Sequence, residues 1–203
     1  MTLHAGQVAL VVLAYIAGSM PWGYWIVRAT RGQDIRTLGS GNTGATNVWR
    51  SFGPRLGLVT ALLDVLKGLV PTIVGRWLYG DATGVAAGLA AVIGHTFPIF
   101  LGLGGGKGVA TGTGACTALL PVGGLVALAT WFTVLWLFRY VSLASMAGAI
   151  AFAGTAVVLH PSWPTTGFCL LAALIVIARH RSNIGRLRCG QEPRVMSFGR
   201  GRA

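Results

Sequence analysis

Three polar segments of this 203-residue chain carry most of the side chains that could do chemistry. The first runs from Asp34 to Arg50 and sets small polar residues between glycines. Glycines let backbone N–H groups approach an anion closely, and a guanidinium can hold a phosphate through two hydrogen bonds. The pattern therefore predicts phosphate contacts from Gly39, Ser40, Gly41, Asn42, Thr46, Asn47 and Arg50. The alternative is an ordinary solvated turn region with an arginine that only fixes membrane orientation.

The second segment is a run of glycines interrupted by one lysine, from Gly104 to Gly108. If a helix begins after it, free N–H groups and the helix dipole would favour the same anion, and Lys107 would add a positive charge. Gly105, Gly106, Lys107 and Gly108 are therefore candidate phosphate-binding residues. The run is not a Walker A loop, which would need Ser or Thr at position 108. The alternative is a helix break whose lysine reaches the membrane surface.

The third segment, His180 to Leu187, follows the last long apolar run. At helical spacing His180 and Asn183 share one face, with Arg186 close by. A histidine can accept a proton or donate a hydrogen bond to phosphate. The alternative is a basic anchor that binds anionic lipid head groups.

Charged and polar residues also interrupt the apolar runs. Asp64 and Lys67 lie three residues apart, and charged groups in lipid must pair or face a polar cavity. We therefore predict a structural ion pair that could also lend Lys67 to the substrate site. Ser145 could face the same cavity, although a membrane serine more often bonds its own helix backbone.

Several catalytic arrangements are missing from the sequence. The chain has four acidic residues, and they do not cluster: Asp34, Asp64, Asp81 and Glu192. No aspartate lies five positions after His95 or His180, as a His-x4-Asp acyltransferase would require, and no Gly-x-Ser-x-Gly elbow occurs. The three cysteines have no regular spacing. These features predict a cationic, glycine-rich site that uses no metal and no cofactor.

The surrounding elements are those of a membrane protein. Charged residues make up 10% of the chain against about 25% in soluble domains, and mean hydropathy is +0.69. The net charge of +12 favours an anionic partner, but nucleic acid is a poor candidate for so apolar a chain. We predict one all-α domain over residues 1–203, with a basic cytoplasmic tail at 193–203. The predicted membrane spans are 5–27, 56–79, 83–102, 108–120, 121–138, 141–160 and 164–178.

Arginines set the expected orientation. Arg28, Arg31 and Arg36 follow the first span, which places that side in the cytoplasm and the N-terminus outside. The arginine-rich tail should also be cytoplasmic, and it can be only if the short segment 108–120 crosses the membrane. The prediction is therefore seven spans, with the N-terminus out and the C-terminus in. Six spans with the tail outside is the alternative.

Taken together, these segments resemble the bacterial membrane glycerol-3-phosphate acyltransferases of the acyl-phosphate-dependent type, the PlsY family. The resemblance covers nearly the whole chain and departs from the family pattern in an extra glycine before the Gly-Gly-Lys-Gly run and an arginine-rich extension after Glu192. The residues that carry it are Gly18-Ser19, Pro21 to Tyr24, Gly39 to Asn47 with Arg50, Asp64 with Lys67-Gly68, Gly94 to Pro98, Gly105 to Thr111, and His180 with Asn183, Arg186, Gly190 and Glu192.

The resemblance implies transfer of a fatty acyl group from acyl phosphate to the 1-hydroxyl of sn-glycerol 3-phosphate. The products would be lysophosphatidic acid and phosphate, in the first step of phospholipid synthesis at the bacterial cytoplasmic (inner) membrane. Family roles would make Ser40 and Arg50 essential, Lys107 with its glycines a phosphate loop, and His180 and Asn183 active-site residues. Glu192 would be mainly structural. We expect a monomer in contact with membrane lipids.

Three questions stay open at the level of sequence. Physical reasoning alone does not separate acyl phosphate from acyl-CoA or acyl-carrier-protein donors. The proton of the glycerol hydroxyl could pass to Ser40, to His180 or to a substrate phosphate. The rival function is an organic-phosphate transporter or channel, which would predict inverted repeats and a path to the outer face; no repeat is visible in the sequence.

Overall fold

The computed structural model describes residues 4–195, which form ten α-helices and two short 3-10 turns, with no strand in that range. The prediction of an all-α protein is confirmed. The helices are α1 (Ala5–Ser19), α2 (Trp22–Arg31), α3 (Ala45–Phe52), α4 (Pro54–Tyr79), α5 (Asp81–Thr96), α6 (Val109–Leu119), α7 (Pro121–Phe138), α8 (Val141–Leu159), α9 (Trp163–Arg179) and α10 (Arg181–Arg188). Most of the predicted basic tail, from residue 196 onward, lies outside the described residues.

Four helical segments are each long and apolar enough to cross a membrane: α4, α5 with the turn that follows it, α7 and α8. The pairs α1–α2 and α9–α10 are bent by 42° and 55°, and the number rises to six if each bent pair is one span. The short predicted span 108–120 corresponds to α6, whose 11 residues extend only about 16 Å. The structure thus supports four to six spans by length and composition, because α6 is too short to pass the same test.

Although α6 is short, it carries the chain along the bundle in the same direction as α4. Gly68 of α4 lies against Thr111 near the start of α6. Near the other end of α4, the Arg76 guanidinium donates to the carbonyls of Ala118 and Leu119, both at 3.2 Å. Between these two contacts, α4 and α6 therefore run in the same overall direction.

The helix α5 runs the opposite way, so α5 and α6 form a hairpin against α4. Thr83 at the start of α5 lies beside Gly75, and His95 near its end lies 3.7 Å from Asp64. Asp64 is ten residues into α4, about 15 Å along it. The end of α5 therefore meets α4 well inside that helix and not at its terminus.

Glycines allow α4 and α6 to touch backbone to backbone. A Cβ atom on Gly68 would lie 2.0 Å from the Thr111 carbonyl oxygen, and one on Gly114 would lie 2.1 Å from that of Val65. Small residues serve the same purpose at other membrane helix interfaces. This reciprocal contact fixes where α6, and the loop before it, lie relative to α4.

The predicted ion pair is confirmed inside this bundle. The Lys67 ammonium lies 2.8 Å from the Asp64 carboxylate and donates a second hydrogen bond of 2.8 Å to the Met20 carbonyl. Met20 is in the break between α1 and α2, so Lys67 holds that bend against α4. Both charged side chains are buried within the bundle, as the cost of charge in a bilayer requires.

Candidate functional site

A basic cleft of about 180 Å³ opens where the three polar segments meet. Within residues 4–195, three of its lining side chains are cationic and none is acidic. Such a lining favours an anion. The sequence predicted four of the six lining residues, and Arg179 and Ser182 are additional. The full lining is Ser40, Asn42, Lys107, Arg179, Ser182 and Arg186.

The loop that carries Ser40 is organised by the buried side chain of Asn47. Its amide nitrogen donates to the carbonyls of Leu38 at 3.0 Å, Asn42 at 2.9 Å and Ile35 at 3.3 Å. Its amide oxygen accepts from the Ser40 N–H at 3.0 Å. Asn47 was predicted to contact phosphate, but in the structure its amide is fully used in holding Ser40 at the cleft.

Other residues of the first segment take different positions. Gly39 and Gly41 have φ of +55° and +69°, a left-handed backbone that suits glycine. Thr46 is exposed on α3 and does not line the cleft. Arg50 donates to the Pro193 carbonyl at 3.2 Å, and burial lowers the pKa of its guanidinium.

The second segment, residues 104–108, is called the glycine loop below. Its amides rest on the end of α5: the Gly105 N–H donates to the Thr96 carbonyl at 3.2 Å, and the Gly106 N–H donates to that of His95 at 3.1 Å. A Cβ atom on Gly106 would lie 2.0 Å from the His95 ring nitrogen Nε2. Gly108 has φ of +78° and precedes α6, so the loop does open a helix, as predicted.

Arg179, at the end of α9, covers the other side of the glycine loop. Its Nη2 donates to the carbonyls of Gly105 at 3.2 Å and Gly106 at 3.1 Å. The guanidinium also lies over the Phe97 ring, 5.7 Å from its centroid. This arginine does not stand out in the sequence, because an arginine directly after the last predicted span, 164–178, looks like any other orientation signal.

Lys107 connects the glycine loop to the third segment. Its ammonium donates a short hydrogen bond to the Asn183 side-chain oxygen. Burial lowers the pKa of Lys107 to about 8; Glu192 opposes this shift, whereas Arg186 and Arg50 add to it. The cleft therefore contains an amine that can lose its charge at mildly alkaline pH.

The buried carboxylate of Glu192 holds neighbouring side chains in place behind the cleft lining. Glu192 accepts hydrogen bonds from the Ser142 hydroxyl at 2.7 Å, the Asn183 amide at 2.6 Å and the Arg186 Nε at 2.7 Å. Burial raises the pKa of the Glu192 carboxyl, but these hydrogen bonds outweigh it and hold the pKa below its usual value. Glu192 thus fixes Asn183, which in turn holds Lys107.

His180 lies at the bend between α9 and α10 and is buried. Its Nδ1 is 2.7 Å from the Val176 carbonyl oxygen. A carbonyl only accepts, so Nδ1 carries the hydrogen and a neutral ring keeps Nε2 as a proton acceptor. The spacing predicted one continuous helical face for His180 and Asn183, whereas His180 occupies the junction and Asn183 the first turn of α10.

Two candidates from the apolar runs lie away from the cleft. Lys67, engaged with Asp64 and Met20, lines a separate cavity of about 10 Å³. The Ser145 hydroxyl accepts a hydrogen bond of 3.3 Å from the Trp131 indole and is buried in α8. The structure therefore does not bring Lys67 and Ser145 to the basic cleft.

Comparison with known sequences gives consistent results. A family model described as glycerol-3-phosphate acyltransferase matches residues 8–190. A glycerol-3-phosphate acyltransferase of Thermosynechococcus vestitus is 45% identical over 197 residues, covering 92% of this chain and 93% of its own. One from Geobacter sulfurreducens is 46% identical over 189 residues, covering 93% and 97%.

Solved structures share the fold over nearly the whole chain. A structure of PlsY (YgiH), described as an integral membrane glycerol 3-phosphate acyltransferase in its glycerol 3-phosphate form, superposes with a TM-score of 0.92 at 36% identity. The match covers 95% of this chain and 96% of that one. The lysophosphatidic acid form of PlsY gives a TM-score of 0.88 at 35% identity, covering 94% and 95%.

Proposed function

Because the chain belongs to the family of integral membrane glycerol-3-phosphate acyltransferases, we propose that its basic cleft uses acyl phosphate as the acyl donor. The acyl group would pass to the 1-hydroxyl of sn-glycerol 3-phosphate and give lysophosphatidic acid and inorganic phosphate. One observation carries the proposal: Ser40 shares a single cleft with three cations, Lys107, Arg179 and Arg186.

The charge of that cleft suits two phosphate esters held side by side. Acyl phosphate and glycerol 3-phosphate repel each other, and the repulsion is larger in a partly desolvated site than in water. Lys107, Arg179 and Arg186 offset it, and backbone N–H groups at the start of α6 add further donors. The same donors stabilise the charge that develops on the departing phosphate, an effect often worth a few kcal/mol.

The proposed reaction is a direct transfer. The 1-hydroxyl oxygen bonds to the acyl carbonyl carbon, the bond from that carbon to the phosphate oxygen breaks, and its electron pair leaves with phosphate. The hydroxyl proton passes to the His180 Nε2 or to a phosphate oxygen, whose second pKa is near 6. Ser40 positions the substrate by hydrogen bonding. Within residues 4–195, its hydroxyl has no hydrogen bond to a histidine or carboxylate that would activate it as a nucleophile.

An assay with three donors tests the substrate assignment. The purified chain is given glycerol 3-phosphate with acyl phosphate, acyl-CoA or acyl carrier protein in separate reactions. We expect lysophosphatidic acid, with one phosphate released per product, from acyl phosphate alone. Product from either of the other donors in the absence of acyl phosphate would refute the donor assignment, and the Ser40→Ala variant serves as the inactive control.

The direct mechanism has its own test. The chain is incubated with acyl phosphate alone, quenched, digested and analysed by mass spectrometry. We expect an unmodified peptide containing Ser40. An acyl ester on Ser40 that is consumed when glycerol 3-phosphate is added would refute direct transfer and establish a covalent intermediate.

We also propose a membrane location and an orientation for the enzyme. We place it in the bacterial inner membrane as a monomer, with the cleft on the cytoplasmic side, the N-terminus outside and the C-terminus inside. The distribution of charge supports this orientation. The cleft end of the bundle carries the arginines of α2 and the cleft itself, whereas Arg76 at the opposite end is paired with Asp81 at 2.8 Å.

A further inference from the structure

Arg179 makes contacts that the proposed reaction does not account for. It adds charge to the cleft, but its two hydrogen bonds go to backbone carbonyls of the glycine loop. We propose that Arg179 is a positioning residue, which holds the glycine loop in the conformation that binds a phosphate ester. This inference rests on the proposed function, since it concerns how the same cleft holds its substrate.

Hydrogen bonds hold the glycine loop from two sides, through peptide units that follow one another in the chain. The N–H groups of Gly105 and Gly106 bond to the end of α5, and the carbonyls of the same two residues bond to Arg179. The N–H and C=O of a trans peptide point in opposite directions. The N–H of Lys107 shares a peptide unit with the Gly106 carbonyl, and it is therefore directed away from the guanidinium.

Glycines by themselves would not keep this arrangement. A glycine has access to more backbone conformations than any other residue, so three in succession give a flexible chain. The packing of Gly106 on His95 excludes any side chain that could restrict it. Without Arg179, the Gly106 carbonyl, whose peptide unit is not among those bonded to α5, would be free to turn toward the cleft and present its partial negative charge to a phosphate. Arg179 thus supplies the rigidity that the glycines lack.

An arginine suits this task better than a lysine. The rigid guanidinium reaches both carbonyls from one nitrogen while its face rests on the Phe97 ring. A lysine at position 179 would keep the positive charge, but its ammonium has no flat face to rest on the Phe97 ring and no rigid plane that fixes the direction of its hydrogen bonds. The conservative variant Arg179→Lys therefore separates the loop-holding role from simple electrostatic attraction.

The chain provides a matched control at the other end of α6. Arg76 also bridges two carbonyls, those of Ala118 and Leu119, at 3.2 Å each, and it lies outside the cleft. Replacing Arg76 removes the same kind of two-carbonyl contact from the end of α6, together with the Asp81 ion pair, whereas Arg179 bonds the loop just before α6. Any effect that arises only from weakened attachment of α6 should therefore appear equally in both sets of variants.

The experiment compares Arg179→Lys and Arg179→Gln with Arg76→Lys and Arg76→Gln in the full purified chain. It measures the KM for glycerol 3-phosphate, kcat, Tm, and hydrogen exchange of peptides that cover residues 104–108. Arg179→Lys is expected to raise the KM about tenfold or more, with a smaller effect on kcat and faster exchange of the loop amides. The Arg76 variants should lower Tm by about as much as the Arg179 variants do, but they should leave the KM for glycerol 3-phosphate within about twofold of wild type.

Two results would overturn the inference. One is an Arg179→Lys KM equal to that of the Arg76 variants. The other is a raised KM with unchanged exchange of the glycine loop, which would mean that Arg179 acts on the substrate by charge alone. If the Arg179 variants do not fold, Phe97→Leu removes only the supporting ring, and it should raise the KM and the loop exchange by smaller factors. Failure of the proposed function would look different, because wild type would then give no product.

Discussion

Lys107 gives the cleft a titratable charge in an accessible pH range. Burial lowers its pKa to about 8, and only the ammonium form attracts phosphate. We therefore expect kcat/KM for glycerol 3-phosphate to fall as pH rises through about 8, because this ratio reports the free enzyme. Steady-state assays between about pH 6 and pH 10 would show the decline.

Two variants check that this decline belongs to Lys107. Lys107→Arg keeps its charge throughout the range, so its kcat/KM should not fall near pH 8. Lys107→Ala should raise the KM for glycerol 3-phosphate more than it lowers Tm. A decline near pH 8 that persists in Lys107→Arg would assign the titration to another group, and an unchanged KM in Lys107→Ala would count against phosphate binding by Lys107.

Asn47 is the residue on which the Ser40 loop depends most. Asn47→Asp replaces an amide that donates to the carbonyls of Ile35, Leu38 and Asn42 with an oxygen that would repel them. We expect a loss of about 1–3 kcal/mol in unfolding free energy, together with a loss of activity. The control is Asn42→Asp, which keeps the acceptor for the Gly44 N–H at 2.8 Å. Equal Tm values for the two variants, measured in detergent, would contradict the role given to Asn47.

At the scale of elements, the contact between α4 and α6 decides where the glycine loop lies. Gly68→Ala and Gly114→Ala would each push a methyl group into a backbone carbonyl of the other helix. We expect each to lower the unfolding free energy by about 1–3 kcal/mol and to reduce activity by shifting the loop. Gly154→Ala in α8, which faces open space, should leave Tm and activity unchanged. Thermal unfolding in detergent would compare the stability of these three variants. A Gly68→Ala variant with the Tm of wild type would refute the role given to this contact.

The sequence predicts some features of this architecture better than others. The meeting of three polar segments followed from arginine placement and chain direction, and the Asp64–Lys67 pair followed from spacing within one helix. The roles of Arg179 and Asn47 did not follow. Arg179 meets loop residues 73 and 74 positions away, and no local pattern records which way a side chain turns over such a separation. The bend at Met20 depends on a similar contact between helices distant in the chain, its bond from Lys67.

At the scale of the whole molecule, side-chain contacts place the start and the end of the described range, residues 4–195, at opposite ends of the helix bundle. Gln7 near the start bonds to Thr83 at the end of the bundle that holds Arg76. Glu192 near the other end of the chain bonds to Ser142 beside the cleft. The proposed orientation of N-terminus out and C-terminus in requires this placement of the two ends.

Native cysteines allow a direct test of that orientation. Cys189 is exposed beside the cleft, whereas Cys116 and Cys169 are buried. A membrane-impermeant maleimide should therefore label Cys189 in inside-out vesicles and not in intact spheroplasts. The control is Ala82→Cys in a Cys189→Ser background, which places the thiol at the opposite face and should show the reverse. Labelling of Cys189 from outside would invert the proposed orientation.

The pairing of Asp64 with Lys67 inside a single helix bears on how the protein enters the bilayer. Each charge alone would oppose insertion by about 2.5–3.5 kcal/mol at the middle of a membrane helix. Because the two lie one turn apart at 2.8 Å, they can neutralise each other as soon as that turn forms, before any neighbouring helix has arrived. The segment therefore carries its own counter-ion during synthesis, and its partition into lipid is less costly than it would be for two unpaired charges.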